Sequence, residues 1–333
     1  MTTRSVSTLL HRLSRAGFKR DFVRLAILPD WWSESFESDN NLLPDLELRV
    51  ARFLGMTVAN VRDPSHPLAF PTVHSTVLRR AANVNTEQLR PAIHAARRVA
   101  EAVVRNMCTS RTSTIPAIPE HWRRELVSGK TPVALEGMLH DLWKRGIPVI
   151  PMECLPSPSF QGLAAIIEGH PVIVIGQKHD APGRVGFFVA HEAGHIAAGD
   201  CRADKTIVDE EETTSDWSEL ETRADRYASD VLLNGVSADK LTGHDYRELA
   251  ANAYSIESET GAEAGALIFH WARQNGDFST ASRAVGALYQ NRGARQTMRR
   301  LLVENVNLDD TSETDRALID LAACEAGSTA IAD

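Results

Sequence analysis

The chain has 333 residues, 43% hydrophobic and 24% charged, with a formal net charge of −8 at pH 7. This is ordinary globular composition, long enough for two or three domains and an ample core. No apolar run approaches the length of a membrane span, and no long apolar segment follows the first basic residues, so neither a membrane partner nor a secretory signal is expected. Cys108, Cys154, Cys201 and Cys324 are scattered without a Cys-x-x-Cys pair, which points to reduced thiols in a cytoplasmic protein. Charge is uneven: residues 1–130 hold 19 Lys and Arg against 12 Asp and Glu, whereas residues 131–333 hold 17 against 32. The basic front half admits a nucleic-acid partner, although many solvated helical domains carry a similar excess.

In chain order, Leu9, Leu10 and Leu13 recur at helical spacing over Val6 to Ala16, and Phe22, Val23, Ala26 and Ile27 do so over Phe18 to Ile27. Leu28-Pro29-Asp30-Trp31-Trp32 breaks the pattern, with Asp30 available to cap the next helix. Leu46 to Leu54 predicts another helix, closed by Gly55. Within Leu42 to Pro64, Arg49-x-Ala51-x-x-Leu54-Gly55-Met56-Thr57-x-x-x-Val61 resembles the last helices of an XRE-type helix-turn-helix domain. That resemblance implies DNA binding through an N-terminal domain, residues 1–64. A scaffold or docking domain anchored by Trp31 and Trp32 is the other reading, since an acidic segment around Glu34 to Asp39 stands where a DNA-reading turn is expected. Residues 65–85, with Pro67 and Pro71, read as a linker, and Asn85 to Asn106 as an Ala-, Val- and Arg-rich helix. Thr109 to Pro119 is a second proline-bearing linker, so residues 65–129 form a linker and helical connector.

Gly146-Ile147-Pro148-Val149-Ile150 predicts a strand, and Gln161 to Ile167, a Glu168-Gly169 turn and His170 to Ile175 predict a hairpin. Next comes His191-Glu192-Ala193-Gly194-His195, which spells His-Glu-x-x-His in a small-residue helical setting that stops at Gly199-Asp200. Histidines four apart share a helix face, so both imidazoles reach one ion, and the glutamate beside the first can take a proton from a metal-bound water. Gly194 leaves room for close approach between the two histidines. A site of this kind wants a third ligand downstream. Trp217 to Leu233 is an amphipathic helix with Glu221 and Asp225 on one face. Glu221 can coordinate, and Asp225 can accept the ring N–H of a ligand histidine. Spacing alone leaves Asp200, Glu210, Glu211 and Glu212 open as rivals to Glu221. Cys201 reads as a free cysteine.

The motif together with Glu221-x-x-Ala224-Asp225-x-Tyr227-Ala228, and the order strand, hairpin, active helix, ligand helix, resembles the ImmA/IrrE family of metallo-endopeptidases over roughly residues 130–275. The resemblance implies His191, His195 and Glu221 as ligands of Zn²⁺, with Mn²⁺ the alternative, and Glu192 as general base. It further implies a protein substrate, a repressor or antitoxin often encoded nearby, cut at one site. Departures are Val185-Gly186-Phe187-Phe188 before the motif, Asp225 where the family often has Asn, and Gly199-Asp200 where it often has another histidine. An oxyanion stabiliser is expected from His270, Arg273, Tyr254 or Tyr227, with a core role favoured for the tyrosines. The acidic run Asp209 to Asp216 reads as a surface loop, and residues 276–333 as a C-terminal helical extension. The expected fold is α+β: mostly helical, with a small gluzincin-like catalytic core of a short sheet and active-site helices, at 130–275, and an N-terminal all-α helix-turn-helix-like domain. The rival functions are a DNA-binding transcriptional regulator whose metal site is structural, and a toxin module whose site is silent.

Overall fold

The structure is a computed structural model that describes residues 4–68, 76–79, 86–109, 111–176, 178–201, 214–243, 245–289 and 293–323. In chain order, helices α1 (Val6–Arg15), α2 (Arg20–Ala26), α3 (Leu43–Leu54) and α4 (Val58–Arg62) come first. Strand β1 (Thr76–Arg79) and helices α5 (Thr86–Arg105), α6 (Pro119–Leu126) and α7 (Leu135–Lys144) follow. Then come β2 (Val149–Pro151), β3 (Gly162–Ile167), β4 (His170–Ile175), α8 (Pro182–Ala198) and α9 (Thr214–Leu233). Helices α10 (Tyr246–Thr260), α11 (Ala264–Asn275), α12 (Phe278–Leu288), α13 (Ala294–Glu304) and α14 (Glu313–Ala323) complete the order. The described chain is thus mostly helical with one small sheet, an α+β arrangement.

The sheet has four strands in the order β1-β3-β4-β2, with β3 antiparallel to both neighbours and β2 parallel to β4. The β3–β4 turn forms where Glu168 and Gly169 both take positive φ. Strand alternation sorts β3 onto two helices. Leu163, Ala165 and Ile167 face Ile93, Ala96 and Ala100 of α5, while Gly162, Ala164 and Ile166 face α8 and the chain just beyond it, against Glu192, Cys201 and Ile196. Both faces are apolar because both are covered.

Strand β1 is a difference from the sequence reading, in which residues 65–85 are a linker. Thr76-Val77-Leu78-Arg79 instead pairs with β3, Arg79 standing opposite Gly162. A run of four residues in a proline-bearing stretch is too short for a period-2 signal, and only the partner strand makes it a strand. Asp30 caps no helix: a short 3₁₀ turn starts at Glu34 after Ser33.

Most buried apolar side chains belong to one cluster that extends from Val6 to Ala322, with Ala164 and Cys201 in a small second one. Helix α5 joins the halves of the large cluster. Pro91 sits against Gly17, whose positive φ and the overlap that any Cβ would suffer with the proline ring both require glycine. His94 Nε2 donates to the Phe53 carbonyl at 2.9 Å, with the Phe18 and Phe53 rings packed on the imidazole. On its far side α5 packs on α14, and Arg105 holds Asp315 at 2.7 Å.

Burial drives the His94 pKa down from 6.5 to about 4, against the pull of its bond to Phe53. The unfolded chain therefore takes up a proton that the folded chain refuses once the pH drops below 6.5. Stability is expected to fall between pH 6.5 and 4 by an amount on the order of 3 kcal/mol from this residue. Urea unfolding of wild type and His94→Gln across that range checks it: the difference between the two should change with pH and level off above pH 7. A pH-independent difference would contradict the assignment.

Candidate metal centre

Helix α8 starts with Pro182 in its first turn, where no backbone donor is lost, and ends at Gly199, whose φ of 72° suits only glycine well. The turn after it returns the Gly199 N–H to Ile196 and the Asp200 N–H to His195, both at 3.0 Å. His191 and His195, one turn apart, project their rings to one side with centroids 4.8 Å apart. Helix α9 lies across them. Gly194 makes that possible, since a Cβ there would stand 3.1 Å from Tyr227 Cβ. The space it leaves is therefore between the two helices, not between the two histidines as the sequence suggests. Tyr227 is a core residue that donates to the Pro116 carbonyl at 2.7 Å and stacks near Trp122.

Glu221 arrives from α9 with its carboxylate facing both rings. His191 Nε2 and His195 Nε2 are 3.2 Å apart, Glu221 Oε2 is 3.3 Å from the first, and Oε1 is 3.4 Å from the second. Ligand atoms held at zinc-like bond lengths around a tetrahedral ion stand about 3.3 Å apart; each imidazole Nε2 is near that distance from a different oxygen of the one carboxylate, and one ligand atom from each residue lies within 4.8 Å of the others. These three residues are the group of His, Cys, Asp and Glu side chains that could hold a metal ion among the described residues.

His191 Nδ1 lies 2.9 Å from Asp225 Oδ1, and His195 Nδ1 lies 2.9 Å from Asp200 Oδ2. An ionised carboxylate only accepts, so each Nδ1 donates and each Nε2 is left as a bare lone pair. Two such lone pairs and a carboxylate then converge within 3.4 Å, which calls for a cation at the centre. Without a metal, a proton takes the place. Burial would lower the His195 pKa, but Asp200 and Glu221 outweigh it and push it up to about 9. Burial would raise Glu221, but the two imidazoles hold it down to about 2.

The sequence reading of Asp225 as the hydrogen-bond partner of a ligand histidine matches this geometry, and Asp225 is itself held by Arg273 Nη1 at 2.8 Å. Asp200, a rival for the third ligand position, is on the Nδ1 side of His195 and so faces away from the Nε2 atoms. Arg223 pairs with it from α9. Glu210, Glu211 and Glu212 lie outside the described residues. Cys201 is buried against Ala164, and burial pushes its thiol far above the usual range, as suits an inert core cysteine. Glu192, His191 and His195 are fully buried, and Glu221 is 23% exposed as the open side of the cluster.

Glu192 packs against Gly162 of β3 so closely that any Cβ there would collide with its Oε1. Its charge acts on His195. His270 and Arg273 both lie on α11 within electrostatic reach of Asp225. Burial, then Arg273, keeps the His270 pKa below its ordinary value. Tyr254 is 62% exposed on α10, a helix that packs on α11 and α12. Sequence reasoning missed Gly162, Arg223 and the role of Asp200, because each depends on a neighbour from another element or on the turn at Gly199.

No family model, no curated protein and no solved structure matches the chain.

A metal ion held by these three residues would bind the folded state and not the unfolded one. Zn²⁺ at about 100 times its dissociation constant should then stabilise the fold by about 2.7 kcal/mol. Thermal unfolding with and without Zn²⁺ is expected to show a rise in Tm for wild type and for Cys201→Ser, and none for His191→Ala. Loss of the rise in Cys201→Ser would make Cys201 a ligand and contradict the assignment.

Proposed function

We propose that the protein is a zinc-dependent endopeptidase of the His-Glu-x-x-His type, akin to the ImmA/IrrE metallo-endopeptidases that its paired motifs resemble. The observation that carries the reading is the convergence of His191, His195 and Glu221 within the reach of one metal ion, with a carboxylate, Glu192, on the same helix as the histidines. Three protein ligands leave the fourth position to water or substrate, which is the composition of a catalytic rather than a structural zinc site. A neutral nitrogen pair with one carboxylate suits Zn²⁺ and also accepts Mn²⁺.

Bound Zn²⁺ would supply Lewis acidity and a water that ionises near neutral pH. The chain's residues do the rest. Asp225 and Asp200 keep each imidazole in the tautomer that presents Nε2. Glu192 takes the proton of the attacking water and passes it to the leaving nitrogen of the scissile bond. Gly162 leaves the space in which the Glu192 carboxylate sits. His270 is taken as the oxyanion stabiliser in this reading, since Arg273 on the same helix is engaged with Asp225. Following the resemblance, the substrate is a single partner protein, a repressor or antitoxin, in the cytoplasm.

A second reading is favoured by the full burial of His191, Glu192 and His195. In it the metal only staples α8 to α9, and the protein acts through its N-terminal helices. Those helices give DNA binding less support. Helix α4 has five residues, and Arg49 and Arg62 are paired with Asp45 and Glu47. No helix among the described residues is long and apolar enough to cross a membrane.

The experiment is a survey of new protein N-termini in cells expressing wild type or variants, with zinc content measured in parallel. Wild type should create a small set of new termini. Glu192→Gln should keep zinc and lose them, and His195→Ala should lose both. Gly162→Ala should keep zinc and cut about 10²-fold more slowly, since its methyl displaces the base. Cleavage by Glu192→Gln at the wild-type rate would contradict the mechanism.

A further inference from the structure

We infer that Asp200 is a positioning residue for the ligand His195, held in that role by Arg223 from the helix that carries Glu221. The inference rests on the metal-centre reading and adds to it a clamp between the two ligand helices.

Three contacts place Asp200. The left-handed turn at Gly199 sets its backbone N–H on the His195 carbonyl at 3.0 Å. Its Oδ2 accepts from His195 Nδ1 at 2.9 Å, so one residue grips the histidine by both main chain and ring. Its other oxygen, Oδ1, accepts from Arg223 Nη2. The Asp200 side chain is only 7% exposed, so the carboxylate is oriented by these partners more than by water. Asp225 provides the matching hold on His191, with Arg273 behind it from α11. Each ligand imidazole therefore has its own carboxylate, and each carboxylate its own arginine.

The two arms differ in what they join. Asp225 lies on α9 itself, whereas Asp200 follows α8 and is tied to α9 through Arg223, two residues beyond Glu221. Arg223–Asp200 thus bridges the end of the histidine helix to the middle of the helix that carries Glu221, next to the groups that must converge. Carboxylate partners of ligand histidines are worth about 10- to 100-fold in metal affinity. Arg223 is 53% exposed, so its pair with Asp200 is worth no more than a surface ion pair, about fivefold.

The test is the Zn²⁺ dissociation constant, measured by competition with a chromophoric chelator, with the melting of the metal-free protein as the structural readout. Asp200→Ala should bind Zn²⁺ about 10- to 100-fold more weakly. Asp200→Asn, which keeps an acceptor for Nδ1–H, should recover part of the loss. Arg223→Ala should weaken binding about three- to fivefold. Because Arg223 acts through Asp200, the double variant should bind no worse than Asp200→Ala alone. Metal-free Tm should stay within a few degrees of wild type. If Asp200→Ala does not fold, Arg223→Ala, altered only at a half-exposed side chain, carries the test by itself. Unchanged affinity in Arg223→Ala and Asp200→Ala, or losses that multiply in the double variant, would overturn the inference and leave the metal centre standing. A wild-type protein that takes up no Zn²⁺ would overturn both.

Discussion

Three electron-rich groups, two imidazole nitrogens and a carboxylate, face one another across less than 3.5 Å at the junction of two helices. That convergence is unfavourable by itself. It is sustained because each imidazole is locked from behind by a carboxylate, so that neither ring can turn its N–H inward to relieve it. The upward shift of His195 and the downward shift of Glu221 are one statement made twice: the centre favours a positive charge. A divalent ion meets that demand with two charges where a proton meets it with one.

The rest of the fold serves this junction. Helices α8 and α9 approach closely because Gly194 has no side chain to hold Tyr227 off. The sheet fixes the height of α8, with Gly162 giving way to Glu192 and Ala164 closing over Cys201. Behind the sheet, α5 supports β3 and β4 with small and branched side chains, and carries the N-terminal helices on Pro91 and His94. At the far end, Asp180, just before α8, accepts from the Gly293 and Arg295 backbone N–H groups at 3.1 and 2.8 Å, and so ties the start of α8 to α13. Buried Glu153, which follows β2, reinforces that tie by pairing with Arg295 and Arg299. A helix anchored at both ends presents its two histidines in a fixed direction, which is what an ion with short, directional bonds requires.

Much of this was legible in the residues because it is local. Histidines four apart, a glycine stop and a glutamate–aspartate pair one turn apart each state their geometry within a single helix. The helices of the front half and the β3–β4 hairpin were legible for the same reason. What was not legible depends on distant partners or on turn geometry. Asp200 looked like a ligand candidate by spacing. Only the left-handed turn at Gly199 reveals that its carboxylate reaches the far nitrogen of the ring. Arg273 is one of four oxyanion candidates by sequence, and its pairing with Asp225 depends on how α11 packs, which no local pattern states. Thr76 to Arg79 carries no pattern of its own and becomes a strand by pairing with β3. The continuity of the core from Val6 to Ala322 rests on contacts such as Arg105 with Asp315, far apart in sequence and invisible to any window.

The central claim is a three-ligand centre made of His191, His195 and Glu221. Elemental mass spectrometry of purified wild type beside Glu221→Ala tests it most directly, after both are incubated with Zn²⁺ and freed of excess. About one zinc per wild-type chain, lost or sharply reduced in Glu221→Ala, is expected. No zinc in wild type, or equal zinc in both proteins, would contradict it.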